Sequence, residues 1–112
     1  MSKQTIYSYS RYSSNAIFLI ARLIRVARKE QKLTTSELAE RAGISRGLLQ
    51  RIEKGDPKCS IGAVFEVATI VGIKLFEAEE LALRKYINQA EDKLTLLPKS
   101  IRKKNKEVKD DF

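Results

Sequence analysis

The sequence predicts an all-α protein: a five-helix bundle with a flexible N-terminal arm and a charged C-terminal tail. Three observations predict it. Apolar residues recur at three- and four-residue spacing along most of the chain. A hydroxyl-bearing residue stands ahead of four of these periodic segments, where a helix needs a side-chain acceptor. Glycine or proline follows three of them, at Gly43, at Gly55-Asp56-Pro57 and at Gly72, where helices stop. The expected organisation is an arm over 1–14, a folded domain over 15–76, an additional helix over 77–97 and a tail over 98–112.

Residues 1–14 are polar and rich in serine and tyrosine. Tyr7 and Tyr9 alternate with Ser8 and Ser10, a weak strand pattern, but the stretch reads better as a disordered arm. Ser14 or Asn15 caps a first helix that reaches about Gln31. Ile17, Ile20, Leu23, Ile24 and Ala27 form its apolar face, while Arg22, Arg25 and Lys29 fall on the other side, either solvated or touching phosphate. Thr34 and Glu37 form a capping box for the second helix, in which Leu38, Ala39 and Ala42 point inward. Ala39 must be small, because two helices crossing steeply across a short turn leave little room. Gly43 sits where the helix end needs a positive φ, and Ile44 plugs the core from the turn.

Ser45 caps the third helix, whose buried face is Leu49 and Ile52; Leu48 falls at a position expected to be exposed. Ser60 caps a fourth helix over 61–71, apolar nearly all round and therefore expected at the centre of the bundle. A fifth helix is expected from Glu77 to about Lys93. Leu83, Ile87, Ala90, Leu94 and Leu97 follow one another at four, three, four and three residues, a seam of about two heptads. It packs either on the domain's own core or against a second subunit. The tail is dense in charge, with Ile101, Val108 and the terminal Phe112 as isolated apolar anchors for a partner.

Composition narrows the function classes. A chain of 112 residues that is 43% hydrophobic builds one compact core. Its formal charge of +8 and pI of about 9.7 are those of a nucleic-acid binder, although plain solubility charge gives the same balance. There is no histidine, and Cys59 is the sole cysteine, a small space-filler in a turn. No nucleophile–base pair, metal cluster or phosphate loop is discernible, so neither an enzyme nor a cofactor or metal is expected. No membrane span or signal peptide is discernible, and the expected location is the cytoplasm.

The chemistry concentrates between Thr34 and Gly55, read as two short helices joined at Gly43-Ile44-Ser45: a helix-turn-helix, which lays its second helix in the major groove of DNA. Arg46, Gln50 and Arg51 are the expected base readers, because arginine bridges O6 and N7 of guanine and glutamine bridges N6 and N7 of adenine. Gly47 lets the backbone come close. Thr35, Ser45, Lys54 and Lys58 are placed to grip the DNA backbone. The plainer reading makes these residues merely the solvent face of a helical hairpin.

Residues 19–76 resemble the Cro/phage-repressor-type (XRE) helix-turn-helix family, with a lambda-repressor-like bundle, through R-K-E-Q-K-L-T-T-S-E-L-A-E-R-A-G-I-S-R-G-L-L-Q-R-I-E-K-G and the S-I-G-A-V-F-E-V-A-T-I-V-G-I that follows. The resemblance implies base contacts from Arg46, Gln50 and Arg51. It puts Thr35 where the family commonly has a phosphate-binding glutamine. Lys32 replaces a common glycine, suggesting a slightly different turn there. The tail L-L-P-K-S-I-R-K-K-N-K-E-V-K-D-D-F resembles those of HipB-like antitoxins, which are encoded beside HipA-family serine/threonine kinase toxins. That implies a homodimeric repressor that binds double-stranded DNA at an inverted repeat and also binds a kinase. The alternative is a stand-alone regulator, phage-derived or metabolic, with no toxin partner.

Overall fold

Five α-helices and no strand make up the described residues, 9–76 and 79–103 of a computed structural model. They are α1 (Arg11–Glu30), α2 (Thr35–Ala42), α3 (Arg46–Lys54), α4 (Ile61–Ile70) and α5 (Glu80–Thr95). The chain divides into two compact units, Met1–Phe76 with α1 to α4 and Glu77–Phe112 with α5. No helix among the described residues is long and apolar enough to cross a membrane.

Hydroxyl caps start the first four helices. Thr34 Oγ1 accepts the Glu37 N–H at 3.0 Å while Glu37 Oε1 accepts the Thr34 N–H at 2.8 Å, the expected capping box. Ser45 and Ser60 accept from Leu48 and Ala63 at 3.0 and 3.2 Å. The first helix departs from expectation. Its cap is Ser10, which accepts the Ser13 N–H at 3.1 Å, so residues 11–14 are helical rather than part of an arm. Ser10, Ser13, Ser14 and Asn15 all offer an acceptor, and the earliest one in extended backbone wins. Residues 1–8 lie outside the described residues.

The core takes one fully buried large side chain from each of the first four helices: Ile24, Leu38, Leu49 and Val67. Burying a side chain of that size contributes roughly 1.5–3 kcal/mol. Ala39, Ile52, Ala68 and Val71 complete the cluster. Three positions differ from the sequence reading. Leu48 is half-buried and packs on this cluster instead of facing solvent. Leu23 is exposed, and with Tyr12, Leu19 and Val26 it forms a second apolar stripe on α1 facing away from the core. α4 is not enclosed all round, since Ile61 is 74% exposed at its first turn.

The turn between α2 and α3 is as expected. Gly43 adopts φ 70° and ψ 30°, and Ile44 donates to the Ala39 carbonyl at 3.0 Å, satisfying an orphan carbonyl at the end of α2. The turn after α1 uses the same left-handed conformation, but through Lys32 at φ 59°. A lysine held in this conformation carries strain that a glycine would not.

A buried ion pair was absent from the sequence reading. Arg28, near the end of α1, donates through Nε to Glu53 Oε2 at 2.7 Å and through a second nitrogen to Glu53 Oε1 at 3.0 Å. Its third nitrogen donates to the Leu33 carbonyl at 3.0 Å. Hydrogen bonding to Glu53 outweighs desolvation and raises the already high Arg28 pKa. The pair pins α3 to α1 and to the turn that leads into α2. Gln31 adds a second tie from α1 by donating to the Val71 carbonyl at 2.8 Å.

In the second unit, α5 starts at Glu80 rather than Glu77, and none of its residues is buried. Leu83 is half-buried, whereas Ile87, Ala90, Leu94 and Leu97 are exposed.

Arg28→Met should cost about 3–5 kcal/mol in urea unfolding by stranding Glu53, and R28M/E53L should recover most of that loss. Lys32→Gly should stabilise the protein by about 0.5–1 kcal/mol, the relief of left-handed strain less the entropy of glycine. A lower unfolding midpoint for K32G would contradict this account of the turn.

Candidate nucleic-acid interface

The inner side of α3 is fixed by Leu49, Ile52 and Glu53, which leaves its outer side for function. At about 100° per residue, Arg46 and Gln50 stand roughly 40° apart on that side. Arg51 lies about 100° beyond Gln50, with Lys54 between the two in projection. All four are exposed, and so is Gly47. The three expected base readers thus share the open half of the helix, with Arg51 on its far flank rather than in line with Arg46 and Gln50.

Thr35 opens α2 immediately after its cap, half-buried. It lines a depression of about 290 Å³ together with Gln50, Lys54 and Arg25, and the Arg28–Glu53 pair contributes to the same wall. Two of the expected backbone contacts, Thr35 and Lys54, are therefore brought beside Gln50, an expected base reader. Arg25 joins them from the basic side of α1. Ser45 is exposed at the start of α3, where its oxygen accepts the Leu48 N–H and its own O–H remains available to donate outward. Lys58 is exposed in the loop after α3.

Arg51 is held within the chain. Its Nε donates to Asp56 Oδ2 at 3.1 Å, and Asp56 Oδ1 accepts the Lys58 N–H at 2.9 Å. The Lys58 N–H first and the Arg51 guanidinium second hold the Asp56 carboxyl below the ordinary aspartate value. Sequence reasoning passed over Asp56; its place five residues after Arg51, just beyond the Gly55 turn, is the signal that could have found it. The Cys59 thiol is half-buried and packs on the core, and burial pushes its pKa up, as suits a filler. Among the described residues no group of acidic, cysteine or histidine side chains could hold a metal ion.

Comparison with known proteins decides the family. The model of the helix-turn-helix domain family matches residues 19–81, more than half of the chain. The chain belongs to the helix-turn-helix regulators. A Sinorhizobium fredii protein described as the uncharacterized HTH-type transcriptional regulator y4mF is 38% identical over 56 residues, which make up 50% of this chain and 74% of that protein. A solved complex of HipB, carrying one serine-to-alanine change, with an O2 20mer is similar at a TM-score of 0.49 and 20% identity, over 70% of this chain and 99% of that one.

Because folding lowers the Asp56 pKa, its contribution to stability is full above the ordinary aspartate range and is lost as pH falls through the folded-state value. Wild type and Asp56→Asn should differ in Tm near neutral pH, begin to converge only as pH falls below about 4, and finish converging below the depressed folded-state value. A difference that stays constant down to about pH 2 would show that the carboxylate charge is not what stabilises this loop.

Proposed function

We propose that the chain is a homodimeric, DNA-binding transcriptional repressor that acts as the antitoxin of a type II toxin–antitoxin module. The observation that carries the DNA-reading part is the open face of α3, with Arg46 and Gln50 on it and Thr35 and Lys54 beside it. Arg46 would bridge a guanine and Gln50 an adenine, with Arg51 as a third reader. Thr35, Ser45, Lys54 and Lys58 would grip phosphates and set the register. The net charge of +8 supplies attraction independent of base sequence.

Unburied apolar surface supports the dimer. Ile87 and Leu94 on α5, and Leu97 just beyond its end, are each more than half exposed, and Leu83 and Ala90 share the side of the helix that carries Ile87 and Leu94. The outer stripe of α1 is likewise uncovered. Large apolar stripes on a small chain ordinarily meet a partner. Two copies would place two α3 helices about 34 Å apart along an inverted repeat. The HipA-like serine/threonine kinase partner rests on the resemblance of the tail. Ile101 there is 79% exposed, while Val108 and Phe112 lie outside the described residues.

Fluorescence anisotropy with duplex DNA from the chain's own promoter tests the reading. Arg46→Ala and Gln50→Ala should each cost about 1–3 kcal/mol and relax base preference. Lys54→Ala should weaken all sequences alike and lower the salt slope by about 1. Full, equally selective binding by Arg46→Ala would overturn the assignment of α3. Removing residues 98–112 should leave DNA affinity intact and abolish capture of the kinase encoded beside the gene. The stand-alone alternative predicts no such kinase capture even by the full chain.

A further inference from the structure

Two arginine–carboxylate pairs among the described residues are built differently. Arg28 grips Glu53 through Nε and a terminal nitrogen, so both carboxylate oxygens are used on one arginine. Asp56 offers Arg51 a single oxygen, because its other oxygen is occupied by the Lys58 N–H. The contact is made at Nε. No other hydrogen bond reaches the Arg51 guanidinium among the described residues. The end edge between its two terminal nitrogens, which can span a planar acceptor couple, makes no hydrogen bond among the described residues. The carboxylate is anchored as well: Asp56 also donates its own N–H to the Arg51 carbonyl at 3.0 Å, following the left-handed Gly55.

We propose that Asp56 is a specificity-determining positioning residue, which holds Arg51 by Nε so that its two terminal nitrogens bridge O6 and N7 of one guanine. This rests on the reading that α3 enters the major groove. Fixing one edge of the guanidinium removes rotamers that would otherwise be lost on binding, and leaves the bidentate edge ready. The aspartate also offsets the arginine's charge, so Arg51 gains little from phosphates and contributes chiefly to discrimination. The Asp56 carboxyl stays ionised at neutral pH because the Lys58 N–H and Arg51 favour the charged form.

The test is selection from a randomised duplex pool with the full-length wild type, Arg51→Ala, Asp56→Ala and Asp56→Asn, followed by titration of the selected wild-type duplex. Asp56→Asn keeps an oxygen for the Lys58 N–H, so a folded variant is available even if Asp56→Ala unfolds. Wild type should select one guanine per half-site that Arg51→Ala no longer selects. Replacing that guanine by 7-deazaguanine should weaken wild type about tenfold and Arg51→Ala not at all. Both Asp56 variants should lose preference at that position alone, by about tenfold, while binding non-specific duplex as well as or better than wild type. Unchanged guanine preference in both Asp56 variants would overturn the inference and leave the DNA-reading proposal standing. An equal loss at every position would also overturn it, since that is the mark of a merely structural residue. If Arg51→Ala selects the same site as wild type, Arg51 itself is not a reader.

Discussion

The interaction on which the rest depends is the buried pair between Arg28 and Glu53. α3 is only nine residues long, too short to hold itself helical or to keep its orientation alone. Leu49 and Ile52 give it apolar adhesion, but apolar packing tolerates small rotations. A bidentate guanidinium–carboxylate pair does not, because both oxygens and both nitrogens must stay aligned. The third Arg28 contact, to the Leu33 carbonyl, extends the same constraint to the turn that sets where α2 begins. One side chain thus relates α1, the entry to α2 and α3. With Glu53 fixed inward, Gln50 and Lys54 turn outward, while Arg46, nearly in line with Glu53 but two turns earlier, is exposed at the open start of α3.

This arrangement separates the side of α3 that holds the fold from the side proposed for recognition. Leu49, Ile52 and Glu53 face in and hold the fold; Arg46, Gln50 and Lys54 face out, with no partner among the described polar contacts that would have to be given up. Leu48 sits between the two groups, half-buried against the core. Arg51 is the exception, exposed yet held by Asp56. The same residue type therefore serves two ends: enclosed on both sides in Arg28, it fixes geometry, and held by one edge in Arg51, it keeps a face for something else.

What the sequence made legible was local. The Thr34–Glu37 box, the Ser45 and Ser60 caps and the Gly43 turn all depend on residues within a few positions of one another, and each is in place. The start of α1 was misplaced because four neighbouring residues could serve as its cap. Leu48 and Leu23 were assigned to the wrong sides because a short amphipathic helix has flanking positions that spacing alone does not allocate. The Arg28–Glu53 pair joins residues 25 apart, and charged side chains are ordinarily read as solvated. Its trace was there nonetheless: Arg28 follows Ile24, and Glu53 follows Leu49, by four residues, placing a charge on each buried face. Of the candidate interface, α3 and the exposure of Arg46, Gln50 and Arg51 were legible, whereas the clustering of Thr35, Gln50, Lys54 and Arg25 around one depression required the fold.

The most direct measurement is an amide chemical-shift map of the protein titrated with a duplex of its selected site. The account predicts that the largest changes fall at residues 35, 45–51 and 54, with the amides of Ile24 and Val67 in the core little moved. Changes concentrated on α4 or α5, with α3 silent, would contradict it.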